Sequence, residues 1–317
     1  MSFEVLKTGS IAILTDLGRF GQHKIGLTTG GPMDKFSFTW ANSILGNNPN
    51  ATAIEIAMGG LAIKSHANTQ ICLTGANMPI YVNGKEHQRW RTLTVNKNDT
   101  IELGFASKGL RCYLSTTNGF EISPEFGSTA TVVRENVGGL DGGLIKQGNV
   151  LPSQAENNRK KFELPAYYRP IIQPKISLRV VVGFQSQHFS RLEQRRFFSG
   201  EYEVSSQCDR MGYRLKGPAI KSETTQMLSE GICLGAIQIP ANGQPIILMH
   251  DRQTIGGYPK IGAVLSLDLD KLAQATPGTK INFEPISAHC AHNELALHQA
   301  KMSTIRLQPL DHHDTSN

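Results

Sequence analysis

No run of uninterrupted apolar residues in this chain approaches the ~18 that a membrane-spanning helix needs, so no membrane span is expected. The first residues, Met1-Ser2-Phe3-Glu4-Val5-Leu6-Lys7, lack the charged start and long apolar core of a secretory signal, and a cytoplasmic location is expected. Cysteine is scarce. The five thiols, Cys72, Cys112, Cys208, Cys233 and Cys290, are odd in number, widely spaced and without a C-x-x-C pair. That pattern excludes a disulfide framework and fits a reducing compartment. Cys72, Cys112 and Cys233 stand in apolar runs and are expected to be buried. His289, Cys290, His292 and His298 cluster without any standard zinc spacing, so no metal site is expected. The glycine-rich region from Gly119 to Gly148 matches neither a P-loop nor a dinucleotide fingerprint.

What is present describes a folded β protein. With 317 residues, 39% hydrophobic and 18% charged, the composition is that of a globular chain of about two domains. The 31 glycines suit many tight turns. The net charge of +6 is uneven, because residues 156–196 hold nine basic side chains against three acidic ones. That segment carries the whole surplus. It lacks the interleaved aromatic or groove-reading elements of a nucleic-acid surface, so no nucleic acid is expected; a solvated linker or an acidic protein partner fits better. Ser153–Pro174, rich in Asn, Lys, Arg, Pro and Gln, is the best boundary. The expected organisation is a β-rich subdomain over residues 1–155, a basic linker over 156–175, a second β-barrel subdomain over 176–286, and a C-terminal helix and polar tail over 287–317.

Short strands broken by turns fill the first half: Phe3–Lys7, Ile11–Leu14, Ala53–Ile56, Leu61–Ile63, Gln70–Leu73, Ile80–Val82, Thr92–Val95, Ile101–Leu103 and Arg111–Ser115. Asn83-Gly84 is a strong hairpin signal. Asp34 caps one clear helix over Phe36–Leu45, with Asn42 beside its buried stripe. In the second half Ile176–Val182 and Glu201–Val204 are strands, with a helix expected over about Gln187–Phe198. Ala236–Ile239 and Ile246–Met249 flank Pro240-Ala241-Asn242-Gly243 as a hairpin. Ala263–Leu267, a short helix near Leu269–Ala275, Lys280–Phe283 and a terminal helix over Ser287–Met302 complete the pattern. The fold expected is mainly β with a few helices, arranged as barrels or sandwiches.

Three loops combine Asp, Arg and Gly after a strand-like run: Thr15–Gly21, Asp209–Arg214 and Asp251–Tyr258. In the last, Asp251-Arg252-Gln253-Thr254 supplies a carboxylate, a guanidinium, an amide and a hydroxyl in succession. Such a set can bind a polar planar ligand, and Gly256-Gly257 allows close backbone approach. The alternative is a solvated loop whose polar residues pair with one another. Three such loops are expected to meet around one cleft.

These stretches also carry a resemblance. T-D-L-G-R-F-G at Thr15–Gly21, G-G-P-M-D at Gly30–Asp34, W-A-N-S-I-L-G-N at Trp40–Asn47 and A-I-E-I at Ala53–Ile56 resemble the allophanate hydrolase subunit 2 family. So do L-T-G-A at Leu73–Ala76, D-R-M-G-Y-R-L at Asp209–Leu215, G-A-I-Q-I-P at Gly235–Pro240 and D-R-Q-T-I-G-G-Y-P at Asp251–Pro259. The match runs from about Gly9 to Phe283. That family includes the KipA proteins, 5-oxoprolinase C-type subunits and part of the urea carboxylase carboxyltransferase domain. The chain departs from the usual pattern at Asn118-Gly119, Gly127–Thr131, Asn149 and His250.

The resemblance implies two cyclophilin-like β-barrel subdomains, a KipI-type B subunit (allophanate hydrolase subunit 1) and a LamB/YcsF-type A subunit as partners. The activity implied is ATP-dependent hydrolysis of 5-oxo-L-proline to L-glutamate, with ATP and Mg held jointly with a partner. The alternatives are biotin-dependent carboxyl transfer to urea, or a KipA-type regulator that binds a KipI-type kinase inhibitor. In the leading reading Arg19, Arg210 and Arg252 hold a carboxylate or phosphoryl charge. Asp16, Asp209 and Asp251 orient them or accept the lactam N–H. Gln238, Gln253 and Thr254 fix the amide plane and Tyr258 packs over it, with Asn42, Arg214, Gly256 and Gly257 also at the substrate. Asp209, Arg210, Asp251 and Arg252 are the catalytic candidates.

Overall fold

The computed structural model describes residues 2–224 and 227–310. Its described residues divide into two compact units, one of residues 2–20, 30–172 and 305–310, the other of residues 21–29, 173–224 and 227–304. The break after Ile172 falls inside the basic 156–175 segment. Two exchanges were not expected: residues 21–29 fold with the second unit, and residues 305–310 fold with the first.

The first unit is built from β1 (Ser2–Thr8), β2 (Ile11–Thr15), β3 (Ala53–Ala57), β4 (Leu61–Ser65), β5 (Thr69–Gly75), β6 (Ile80–Val82), β7 (Lys85–His87), β8 (Leu93–Val95), β9 (Thr100–Leu103), β10 (Arg111–Thr116), β11 (Val150–Pro152) and β12 (Phe162–Glu163). A six-stranded sheet runs β11-β1-β4-β9-β6-β7 and a five-stranded sheet runs β2-β3-β10-β5-β8. One core lies between them, with Phe3, Val5, Ile63, Ile101 and Leu151 meeting Leu14, Ile54, Ile56, Leu73 and Leu114. Helix α1 (Lys35–Ile44) covers the other face of the five-stranded sheet, where Phe38 and Ala41 pack with Ala53 and Tyr113. Covered on both faces, β5 and β10 are buried at every position and show no alternation. Asp34 caps α1 by accepting from Ser37 N at 2.9 Å. Asn83 and Gly84, with φ of 51° and 79°, make the tight turn of the β6–β7 hairpin.

The second unit contains β13 (Lys175–Val182), β14 (Glu201–Cys208), β15 (Gly212–Lys216), β16 (Glu230–Gly231), β17 (Ala236–Gln238), β18 (Ile246–Leu248), β19 (Ile255–Gly256), β20 (Lys260–Val264) and β21 (Lys280–Ile286). A further strand, β22 (Gln308–Pro309), pairs with β12 in the first unit. Seven strands close into a barrel in the order β13-β20-β17-β18-β15-β14-β21. Closure removes free sheet edges. It depends on β13 and β21, which pair in parallel from Lys175↔Lys280 to Val181↔Ile286.

Three helices serve this unit: α2 (Arg191–Ser199), α3 (Ser266–Ala273) and α4 (Ala288–Thr304). The helix expected over Gln187–Phe198 is two elements, a 3-10 turn at Phe184–His188 and then α2, capped where Ser190 accepts from Glu193 N. Phe197 stacks on Phe283 of β21 with ring centres 4.3 Å apart. The strand expected over Ala263–Leu267 begins earlier, at Lys260, because its partners on β17 run from Ala236 to Gln238. Cys72 and Cys112 are buried, and burial pushes the Cys112 thiol up to about 12. Cys233, expected inside, is exposed.

Candidate functional site

Glycine and aspartate bend the chain sharply after β2, and the resulting loop belongs to the first unit. Asp16 is buried, accepting from Gly18 N and Thr129 N, each at 2.9 Å, and from Ser128 Oγ. Arg19 is fully buried; its Nε donates to Glu125 O at 3.0 Å and its Nη2 to Ser128 O and Ala130 O. The two residues clamp residues 125–130 to the end of β2. Asn42 donates to Ala51 O at 2.8 Å and accepts from Ser115 Oγ and Asn47 Nδ2, tying α1 to β10. The substrate roles expected of Arg19 and Asn42 therefore give way to structural ones, because each side chain is wholly buried with protein partners.

A buried polar network lies close by, built on the A-I-E-I and G-G-P-M-D stretches, none of whose residues is a site candidate in the sequence. Glu55 on β3 accepts from Met33 N at 2.9 Å and from Tyr113 Oη at 2.7 Å, while Tyr113 Oη accepts from Asp34 N at 2.8 Å. Arg111 Nε lies 3.6 Å from Glu55. Burial first, then the Glu55 and Asp34 carboxylates, push the Tyr113 phenol well above its ordinary value. It therefore stays a hydrogen-bond donor, and the network seats the G-G-P-M-D loop on the sheet.

The other two loops meet in the second unit. Arg210 forks onto Asp251, with Nε–Oδ2 and Nη2–Oδ1 both 2.8 Å. Their side chains are only 13% and 8% exposed. Asp251 N also donates to Arg210 O at 2.8 Å, so backbone and side chains lock the two turns together. Asp209 is exposed and caps its own turn through Met211 N and Gly212 N. Arg252 is buried, donating Nε to Ile232 O at 3.0 Å, and burial draws its pKa below the ordinary guanidinium value. Arg214, Gln253 and Tyr258 are exposed and Thr254 is half-buried. Thr28, from the segment lent by the first half of the chain, donates to His250 O beside this loop.

Gly256 and Gly257 allow close approach, but to protein rather than to open space. A Cβ on Gly256 would stand 2.7 Å from Ile232 Cδ1 and 3.1 Å from Gln238 Nε2; one on Gly257 would stand 2.6 Å from Met227 O. This packing gathers a cluster that has no local sequence signature. Gln238 on β17 pairs with Lys260 on β20. Lys260 Nζ lies 2.6 Å from Glu230 Oε1, and Glu230 pairs with Gly256 across the two-residue ribbon β16–β19. Gln185 accepts from Lys260 N at 2.8 Å and donates to Glu230 Oε1. Gln185 and Gln238 are 7% and 6% exposed. Two oriented amides, an ammonium and a carboxylate at one barrel end can hold a planar amide carrying a negative group. Of these, only Gln238 is legible as a candidate in the sequence. The adjacent Gly-Gly-Tyr-Pro is the sole signal that could point to Lys260.

The chain matches the carboxyltransferase domain, subdomains A and B, over residues 25–285. It is 33% identical to the C-type subunit of 5-oxoprolinase from Haemophilus influenzae, covering 94% of this chain and 97% of that protein. The counterpart of the same name from Escherichia coli is 33% identical over 88% of this chain and 90% of its own length. Among solved structures, the Kluyveromyces lactis urea amidolyase superposes with a TM-score of 0.90 at 27% identity, covering 96% of this chain. The chain spans 20% of that larger protein. The paired sheets and closed barrel described above are thus those of a known architecture, and the chain belongs to the carboxyltransferase domain family, subdomains A and B.

Proposed function

We propose that the chain is the C-type subunit of an ATP-dependent 5-oxoprolinase, acting with a KipI-type B subunit and a LamB/YcsF-type A subunit. The observation that carries this reading is the end-to-end match to 5-oxoprolinase C-type subunits, near-complete in both directions. The Lys260 cluster supports it chemically. 5-Oxoproline joins a planar lactam to a carboxylate. Gln185 and Gln238 would orient the lactam, and Lys260, released from Glu230, would pair with the carboxylate.

ATP is the co-substrate this reading implies. The arginines expected to meet it do not fit, because Arg19 and Arg252 donate to backbone carbonyls and Arg210 is forked onto Asp251. No phosphoryl-transfer step is assigned to them. A second reading, carboxyl transfer from carboxybiotin to urea, is favoured by the close superposition on urea amidolyase. A purified three-subunit mixture separates the two. ATP hydrolysis that depends on 5-oxoproline is the expected result; turnover only with urea and carboxybiotin would remove the leading reading. A tight complex with the B-type subunit and no turnover at all would favour a KipA-type regulator.

A further inference from the structure

A cavity of about 760 Å³ opens on the first unit, and none of the site candidates discussed above lines it. The β6–β7 hairpin supplies Tyr81, Glu86 and His87 to its wall. Arg89 and Trp90, on the way to β8, Phe105, after β9, and Arg169 complete it. Three basic side chains thus face one acidic one.

Arg89 is held in place by neutral partners, and Arg169 by a carbonyl and a carboxylate. Arg89 donates to Gly75 O at 3.1 Å, to Asn77 Oδ1 at 2.6 Å and to Ala76 O. Arg169 Nε donates to Leu164 O at 2.7 Å, and its Nη2 forms a long, 3.7 Å ion pair with Glu163. Carbonyl oxygens fix a guanidinium without neutralising it. Burial lowers the pKa of His87, Arg89 and Arg169 alike; Lys85 and Arg91 add to it at His87, whereas Glu163 opposes it at Arg169. The volume lies within the range of small-molecule sites, and Tyr81 and Phe105 bring accessible aromatic surface to the same wall, where Trp90 is nearly buried.

We propose that this cavity binds a nucleotide, its phosphates against Arg169, Arg89 and His87 and its base against the aromatic side chains. Guanidinium groups favour phosphate, and rings stack on bases regardless of their identity. Where the proposed function holds, this ligand is the ATP of that reaction. The binding itself rests on the cavity alone.

Trp90 makes the test direct, because the chain has only one other tryptophan, Trp40. In the Trp40→Phe chain, ATP should change Trp90 fluorescence saturably, with calorimetry run in parallel. Arg169→Gln should weaken ATP binding tenfold or more and His87→Gln severalfold, while Arg191→Gln in the second unit changes nothing. Adenosine and tripolyphosphate should each bind at least tenfold more weakly than ATP. If Arg169→Gln fails to fold by circular dichroism, His87→Gln and Tyr81→Ala carry the comparison. Absence of saturable ATP binding overturns the site, as does binding that survives these substitutions. Tripolyphosphate binding as well as ATP overturns the nucleotide assignment. ATP binding without 5-oxoproline turnover would sink the proposed function and leave this site standing; turnover without ATP binding here would do the reverse.

Discussion

Lys260 and Arg210 are both cations paired with a single carboxylate, yet they invite opposite expectations. Glu230, the partner of Lys260, is half exposed on a two-residue ribbon, whereas Asp251, the partner of Arg210, is 8% exposed and locked by a forked contact. A substrate carboxylate can displace the first partner but not the second. Lys260→Met should therefore raise KM for 5-oxoproline tenfold or more in the assembled enzyme, with a smaller change in kcat. Glu230→Gln should lower KM, since it removes the competing anion. Equal loss of stability and unchanged KM in both variants would make the pair purely structural. Arg210→Met leaves a buried carboxylate without its forked cation, which costs roughly 3 kcal/mol. Arg210→Met with Asp251→Leu should recover most of that in urea unfolding. Sequence could not separate these cases. Asp-Arg-Gly loops look alike whether the arginine meets solvent, a carboxylate or, as with Arg19, three backbone carbonyls. Lys260, Glu230 and Gln185 come from three distant segments, so no local spacing announces them.

Elements were legible where a local rule sufficed. Asp34 before an apolar 3.6-residue period marks α1, and Asn83-Gly84 marks the β6–β7 hairpin. Asp34→Ala removes the acceptor for both Ser37 N and Ser37 Oγ. It should cost about 1–2 kcal/mol, measured as a shift in the urea midpoint. The start of α2 was equally available in Ser190-x-x-Glu193, a capping-box spacing, but the preceding 3-10 turn blurred it. Pairings set by tertiary contact were not legible, above all the parallel join of β13 to β21 and the two-residue strands β16 and β19. Helix α3 adds a prediction in pH. Asp268, fully buried in its first turn, loses by burial but gains more from Arg179 and Lys271, so its carboxyl sits below the ordinary range. A carboxyl depressed in the folded state stabilises above the unfolded value and loses that contribution as pH falls through the folded one. Asp268→Asn should thus cost about 2 kcal/mol at pH 7, less than a wholly buried pair because Arg179 keeps Glu294. The gap between variant and parent should close below about pH 4. A constant gap from pH 7 to pH 2 would contradict the assignment.

At the scale of the molecule, the surplus of positive charge counted in the sequence resolves into particular side chains. Of the nine basic residues between 156 and 196, Arg159, Arg169, Lys175, Arg179 and Arg196 meet carboxylates. The side chains of Arg191 and Arg195 make no ion pair or hydrogen bond among the described residues, and they stand one turn apart on α2 beside a shallow groove of about 580 Å³ that Phe198 also lines. Exposed charges of one sign steer an oppositely charged partner and are screened over about 8–10 Å at physiological salt. The expectation of an acidic protein partner thereby acquires an address, although composition alone could place it only within forty residues. If the B-type subunit docks here, its association rate should fall about tenfold between 50 and 300 mM salt, with a smaller change in dissociation. Arg191→Glu with Arg195→Glu should slow association and flatten that salt dependence, read by surface plasmon resonance at several ionic strengths. The helix keeps its Ser190 cap and the Phe197–Phe283 stack in this variant, so thermal unfolding should stay within about 0.5 kcal/mol of the parent. A partner that associates with the doubly reversed chain at the parental rate would bind another face, and the surplus charge would then serve solubility rather than recognition.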